Sequence, residues 1–155
     1  MSVSFANQLT PNNFPTNARA VVDNNFVQVV ALPNQGNTIN TNAIDLLQAT
    51  PYSVTEIVNV QLIVGAATGT ANNGNMNAVL QQTSANTDGT ANSAAWANIT
   101  YLANPLITVA DSGGLALTTA NIKLAPGNLR FIRAQFKGDA TVGNPTGNGT
   151  LQLLF

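Results

Sequence analysis

Along most of the chain, apolar and polar residues alternate with a period of two. Within Glu56–Val64, Val58, Val60, Leu62 and Val64 fall on one side and Asn59, Gln61 and Ile63 on the other, the pattern of a strand with one buried face. In Leu129–Lys137, Ile132, Ala134 and Phe136 share one face, while Phe131, Arg133, Gln135 and Lys137 share the other. Further strands are expected at Phe26–Leu32, stopped by the turn cluster Pro33–Gly36, and at Thr38–Leu46, Met76–Thr83, Ile99–Leu102 and Leu106–Ala110. Leu115–Leu124, with a break inside it, and Leu151–Phe155 complete the set. The small-residue stretch Gly65–Gly74 ends in the tight-turn dipeptide Asn73-Gly74 and predicts a hairpin or its equivalent there. No segment of a dozen residues keeps an apolar 3.6 period; Ile44–Gln48 and Ser93–Trp96 each reach one helical turn at most. Short strands separated by turn signals, without helical crossovers, predict an all-β antiparallel sandwich or barrel.

Two segments depart from that alternation. Met1–Ala20, broken by asparagines and by Pro11 and Pro15, reads as an extended N-terminal arm ahead of a single domain spanning residues 21–155. Phe5, Leu9 and Phe14 are spread along it as anchors for a surface outside the arm. Ser84–Ala97 reads as the longest interruption without structure of its own, a kind of loop that tends to carry function. It contains Trp96, for which core filling is the readier reading and an interface anchor the alternative. Arg130 and Arg133, three apart, are expected on opposite faces of one strand, each paired with a nearby acid or with a partner's carbonyls.

Composition narrows the function. At 155 residues the chain is long enough for a hydrophobic core, yet only 7 % of it is charged, with five basic and six acidic residues, against about 25 % in ordinary soluble domains. Its polar surface must come from neutral side chains, and there are 23 asparagines and 18 threonines. With no cysteine and no histidine, disulfides, thiol nucleophiles, imidazole bases and the common transition-metal ligands are excluded. The net charge of −1 and the lack of a basic run argue against nucleic acid as a partner, and no apolar run reaches the roughly 20 residues of a membrane helix. The N-terminus lacks the pattern of a secretory signal, so a protein made and kept in the cytoplasm of a cell, or delivered with something assembled there, is expected. The acids suit turn caps: Asp88-Gly89 and Asp111-Ser112-Gly113-Gly114 read as turns in which a carboxylate accepts a backbone N–H. The expectation is a protein without catalytic residues, metal or cofactor. Nearly uncharged molecules lack mutual repulsion, which suits uptake into an assembly.

One stretch is similar to a known family. Leu124-Ala125-Pro126-Gly127-Asn128-Leu129-Arg130-Phe131-Ile132-Arg133-Ala134-Gln135-Phe136 resembles the Pro-Gly-x-x-Arg-aromatic-Leu-Arg-Leu-Asn-Tyr stretch of the capsid cement (decoration) proteins of tailed bacteriophages, typified by the Bordetella phage cement protein. Thr38–Asp45, Met76–Asp88 and Gly149–Leu153 resemble further strands of that family, in order, over roughly Asn37–Phe155. The arm is longer than the family's, and Ser84–Ala97 holds extra Asn and Ala. The resemblance implies a jelly-roll β-sandwich on the outer capsid surface of a virion. It would form a homo-oligomer (trimer favoured, dimer possible) that bridges subunits of the major capsid protein, with no catalytic residues. Phe5, Leu9, Phe14, Trp96 and Arg133 are the expected capsid or oligomer contacts. The competing expectation is a carbohydrate- or receptor-binding jelly-roll module, such as a head fibre or lectin-like domain, although aromatics make up only 6 %.

Overall fold

The computed structural model describes residues 26–46, 58–68, 74–125, 128–139 and 142–154. Twelve strands run through them. They are β1 (Val27–Ala31), β2 (Thr38–Asn40), β3 (Ile44–Asp45), β4 (Val58–Val64), β5 (Ala67–Thr68), β6 (Asn75–Thr83), β7 (Ala97–Asn98), β8 (Ile107–Ala110), β9 (Gly114–Leu115), β10 (Thr118–Leu124), β11 (Phe131–Gly138) and β12 (Asn148–Leu154).

One sheet has the order β1-β12-β4-β10. In the other, β11 and β6 form the centre; β2 and β3 share the outer side of β11, and β7 and β8 share the outer side of β6. Every pairing is antiparallel. Setting aside the small separate β5-β9 pair and treating β2/β3 and β7/β8 as two broken strands leaves eight strand positions. The chain then visits the sheets in the order first, second, first, second, second, first, second, first. Two facing four-stranded sheets wound in this way are a jelly roll. The fold is an all-β antiparallel sandwich of that type.

The alternation expected in β4 and β11 holds. Val58, Val60, Leu62 and Val64 face Ile132, Ala134, Phe136 and the inward residues of β6, Met76, Ala78 and Leu80, in one continuous core. Gly149 of β12 sits against this core: a Cβ there would come within 2.5 Å of the Phe136 ring, so the close approach of the two sheets needs a residue without a side chain.

Several sequence expectations change. Thr38–Leu46 is two short strands, because the chain leaves the ladder at Thr41. There the Thr41 hydroxyl accepts the N–H of Ala134, and the Thr41 N–H donates to the Ala134 carbonyl. Gly65–Gly74 does not close a hairpin, since β4 and β6 lie in different sheets. Its β5 pairs instead with β9, inside the segment where a break was expected. Ile99–Leu102 is a turn following β7, closed by the Leu102 N–H on the Ile99 carbonyl. Of the helical turn expected over Ile44–Gln48, Ile44 and Asp45 are strand β3, Leu46 is helical, and residues 47 and 48 lie outside the described residues.

The two ends of the sandwich differ. At one, four connections lock together: the N–H of Leu32 donates to Gly147, Gly36 to Asp139, Thr146 to Thr68, and Asp111 to Gly74. Buried Asp111 adds a staple, accepting Gly114 N–H on Oδ1 at 3.0 Å and Gly143 N–H on Oδ2 at 2.7 Å. The opposite end carries the 84–97 connection and the turn into β11.

Candidate functional site

The 84–97 connection has structure of its own. Ala85 and Ala91 form a bridge, the Asn86 N–H donates to Thr90, and Gly89 adopts φ +84° at the tip. Asp88 accepts both the N–H and the hydroxyl of Thr90, at 2.9 and 2.6 Å, and these bonds hold its carboxyl below its ordinary value of 3.8. Asn92 then fastens this small hairpin to the sheet: its carbonyl accepts the Thr83 hydroxyl and its N–H donates to Ser84. Its side-chain oxygen accepts the Ala94 N–H, turning the chain into β7 and setting the position of Trp96. An interruption read as featureless is thus a pinned hairpin, built by short-range Asn and Asp bonds.

Trp96 does not fill the core. It is half-buried on the outer face of the second sheet, where the guanidinium carbon of Arg133 lies 4.3 Å from the centre of its ring. Arg133 projects from β11 opposite Gln81 of β6, and Gln81 lies opposite Asn98 of β7. Arg133 Nε donates to Gln81 Oε1 at 2.9 Å, and Gln81 Nε2 donates to Asn98 Oδ1 at 3.1 Å. Partial burial draws the Arg133 pKa below the ordinary arginine value. No acid pairs with Arg133 among the described residues, contrary to one branch of the expectation.

Arg130 does pair with an acid. It precedes β11, so the strand alternation does not reach it, and its guanidinium lies on the same side of the sheet as Arg133 rather than opposite. It forms a forked pair with Asp45, Nε to Oδ1 at 2.9 Å and Nη2 to Oδ2 at 2.7 Å, and these bonds raise its pKa above the ordinary arginine value. It also covers the ring of Phe131, 5.0 Å from the centroid. Phe131 points outward yet is only 7 % exposed. Phe5, Leu9 and Phe14, with the rest of the 1–20 arm, lie outside the described residues.

The outer face of the first sheet has another character. Gln152, Gln61 and Asn121 lie side by side on β12, β4 and β10 and form an amide ladder, Gln152 Nε2 to Gln61 Oε1 at 2.5 Å and Gln61 Nε2 to Asn121 Oδ1 at 2.8 Å. Around it stand the exposed Val27, Val29 and Leu154. A shallow recess at its far edge is lined by Asn59, Asn121, Lys123 and Leu154. Sequence reasoning missed this ladder as a unit, because its members are 60 and 91 residues apart and only the sheet register unites them.

The described acids are engaged with the chain itself. Asp45 holds Arg130, Asp88 holds Thr90, and Asp111 and Asp139 hold backbone N–H groups of Gly114, Gly143, Asn75 and Val142. The turn roles expected for Asp88 and Asp111 are those observed. Among the described residues, no group of three or more carboxylates gathers to hold a metal, and no helix is long and apolar enough to cross a membrane.

No protein-family model matches the chain, and no curated protein matches it in sequence. Among solved structures it is similar to a chain of infectious bursal disease virus, Gt strain, at 13 % identity and TM-score 0.39, covering 83 % of this chain and 27 % of that one. It is also similar to the K3 cleaved adhesin domain of Lys-gingipain from Porphyromonas gingivalis w83, at 11 % identity and TM-score 0.31, covering 81 % of this chain and 69 % of that one. The chain spans about a quarter of the viral chain's length.

Proposed function

We propose that the chain is a non-enzymatic capsid cement protein, a jelly-roll block on the outer surface of an icosahedral tailed-phage head that bridges adjacent major capsid protein subunits. The observation that carries this reading is the internally bonded outer face of the β1-β12-β4-β10 sheet, where Lys123 at the edge is the one charge among the described residues, with its amide ladder and flanking Val27, Val29 and Leu154. Amides already bonded to one another cost little further desolvation when covered, and the valines and leucine gain from being covered. A net charge of −1 leaves nothing to keep copies apart. The sequence resemblance around Pro126–Phe136 adds its own support for the same role.

In this reading copies associate through such faces and edges as a trimer, and each weak contact with the shell is multiplied by linkage to its neighbours. The arm, with Phe5, Leu9 and Phe14, extends the contact onto a neighbouring capsid subunit. Sedimentation equilibrium of the purified chain tests the first step. A mass of three chains is expected, a dimer would revise the stoichiometry, and a strict monomer at capsid-like concentrations would overturn the assembly argument.

A further inference from the structure

We propose that Arg133, seated on Trp96, is a carboxylate-binding fork that takes an acidic side chain of a different protein. The proposal rests on the cement reading for the partner's identity, but the chemistry of the site stands on its own geometry. Three features set the fork in place. Trp96 lies against the guanidinium at 4.3 Å, Gln81 accepts Nε, and Asn98 accepts from Gln81, so the plane of the group is fixed before any ligand arrives. Its two terminal nitrogens have no hydrogen-bond partner among the described residues. A planar pair of unbonded N–H donors on a rigid strand matches the two oxygens of a carboxylate. The contrast with Arg130 is direct: there the same group already holds Asp45 in that forked manner.

Charge sets the class of partner. Lys137 stands on the same face as Arg133, about 13 Å along β11 at roughly 3.3 Å per residue, and is exposed. The four described acids of a second copy, Asp45, Asp88, Asp111 and Asp139, are already bonded within their own chain, and the cement reading supplies the foreign carboxylate, on the major capsid protein. A neutral sugar is disfavoured because the guanidinium lies against the one indole of the chain. Nucleic acid is disfavoured by the net negative charge.

The test uses the purified full chain and three probes: a Gly-Ser peptide bearing three glutamates, the same peptide with three glutamines, and trigalacturonate. Binding is read by Trp96 fluorescence, the chain having one tryptophan, and by calorimetry. The glutamate peptide is expected to bind saturably and about tenfold or more tighter than the glutamine peptide, in keeping with a charge-assisted fork. Arg133→Gln should lose that preference and Arg133→Lys should keep only part of it. Lys123→Gln, on the other sheet, should leave it intact. Equal binding of the two peptides, no binding, an unaltered preference in a folded Arg133→Gln, or tighter binding of trigalacturonate than of the glutamate peptide would each overturn the proposal. Because no capsid is present, a failure here is separable from a failure of the cement reading, which is tested on heads.

Discussion

Arg133 and Trp96 are 37 residues apart in sequence and 4.3 Å apart in space, guanidinium over indole, on the open face of the second sheet. The pairing joins the centre of β11 to the connection that follows β6. It makes the local order of the 84–97 connection depend on a residue in the middle of the sheet. Arg133→Met, which keeps the aliphatic stem and removes the charge, should lower stability by about 0.5–1 kcal/mol, the usual worth of a partly exposed cation–π contact. The emission maximum of Trp96 should move to longer wavelength as the ring loses its cover. Urea unfolding followed by fluorescence reads both, and an unshifted spectrum would show that Arg133 does not cover the ring in solution.

Asp111 should be the most costly acid to remove among those described. It is 3 % exposed and accepts two backbone N–H groups from two different connections, those of Gly114 and Gly143. Asp111→Ala leaves both donors unpaired and should cost about 2–6 kcal/mol, since each orphaned group carries a penalty of about 1–3 kcal/mol. The exposed Asp88→Ala should cost far less. Denaturation midpoints of the two variants, compared side by side, check the ranking.

Gly149→Val should destabilise by about 1–3 kcal/mol or more through overpacking, because the added atoms meet the Phe136 ring within the core. Thr150→Val, the next residue on the opposite face of β12, should change little. Thermal unfolding of the pair separates a packing effect from a general loss of β12.

Protonation of Asp88 should loosen the 84–92 hairpin locally. The Asp88 carboxyl is held below 3.8 by Thr90, so the folded pKa lies below the unfolded one. Its stabilising effect is therefore complete above the unfolded value and is lost as pH falls through the folded value. The Thr90 amide, which donates to Asp88, should lose hydrogen-exchange protection in that acid window while amides in β4 and β11 stay protected. Uniform loss across all three would contradict the local assignment.

The alternation of β4 and β11 was legible because a strand with one face in the core writes its geometry into every second residue. The turns at Asp88 and Asp111 were legible because an Asp before glycine caps within a few residues. What escaped was long-range. Nothing local in Gly65–Gly74 distinguishes a hairpin from a crossover between sheets, and nothing around Trp96 names Arg133 as its neighbour. Arg130 was misassigned for a related reason: alternation applies only inside a strand, and β11 begins one residue later. The amide ladders lay hidden in the abundance of Asn and Gln, since register alone decides which three meet.

Co-sedimentation of the chain with phage heads assembled without it tests the proposed cement role most directly. Saturable binding at a fixed ratio to the major capsid protein is expected, changing little between low and high salt because most of the contact is uncharged, and lost when Met1–Ala20 is deleted from a still-folded domain. A chain that stays in the supernatant at every concentration, while remaining folded and monomeric, would contradict it.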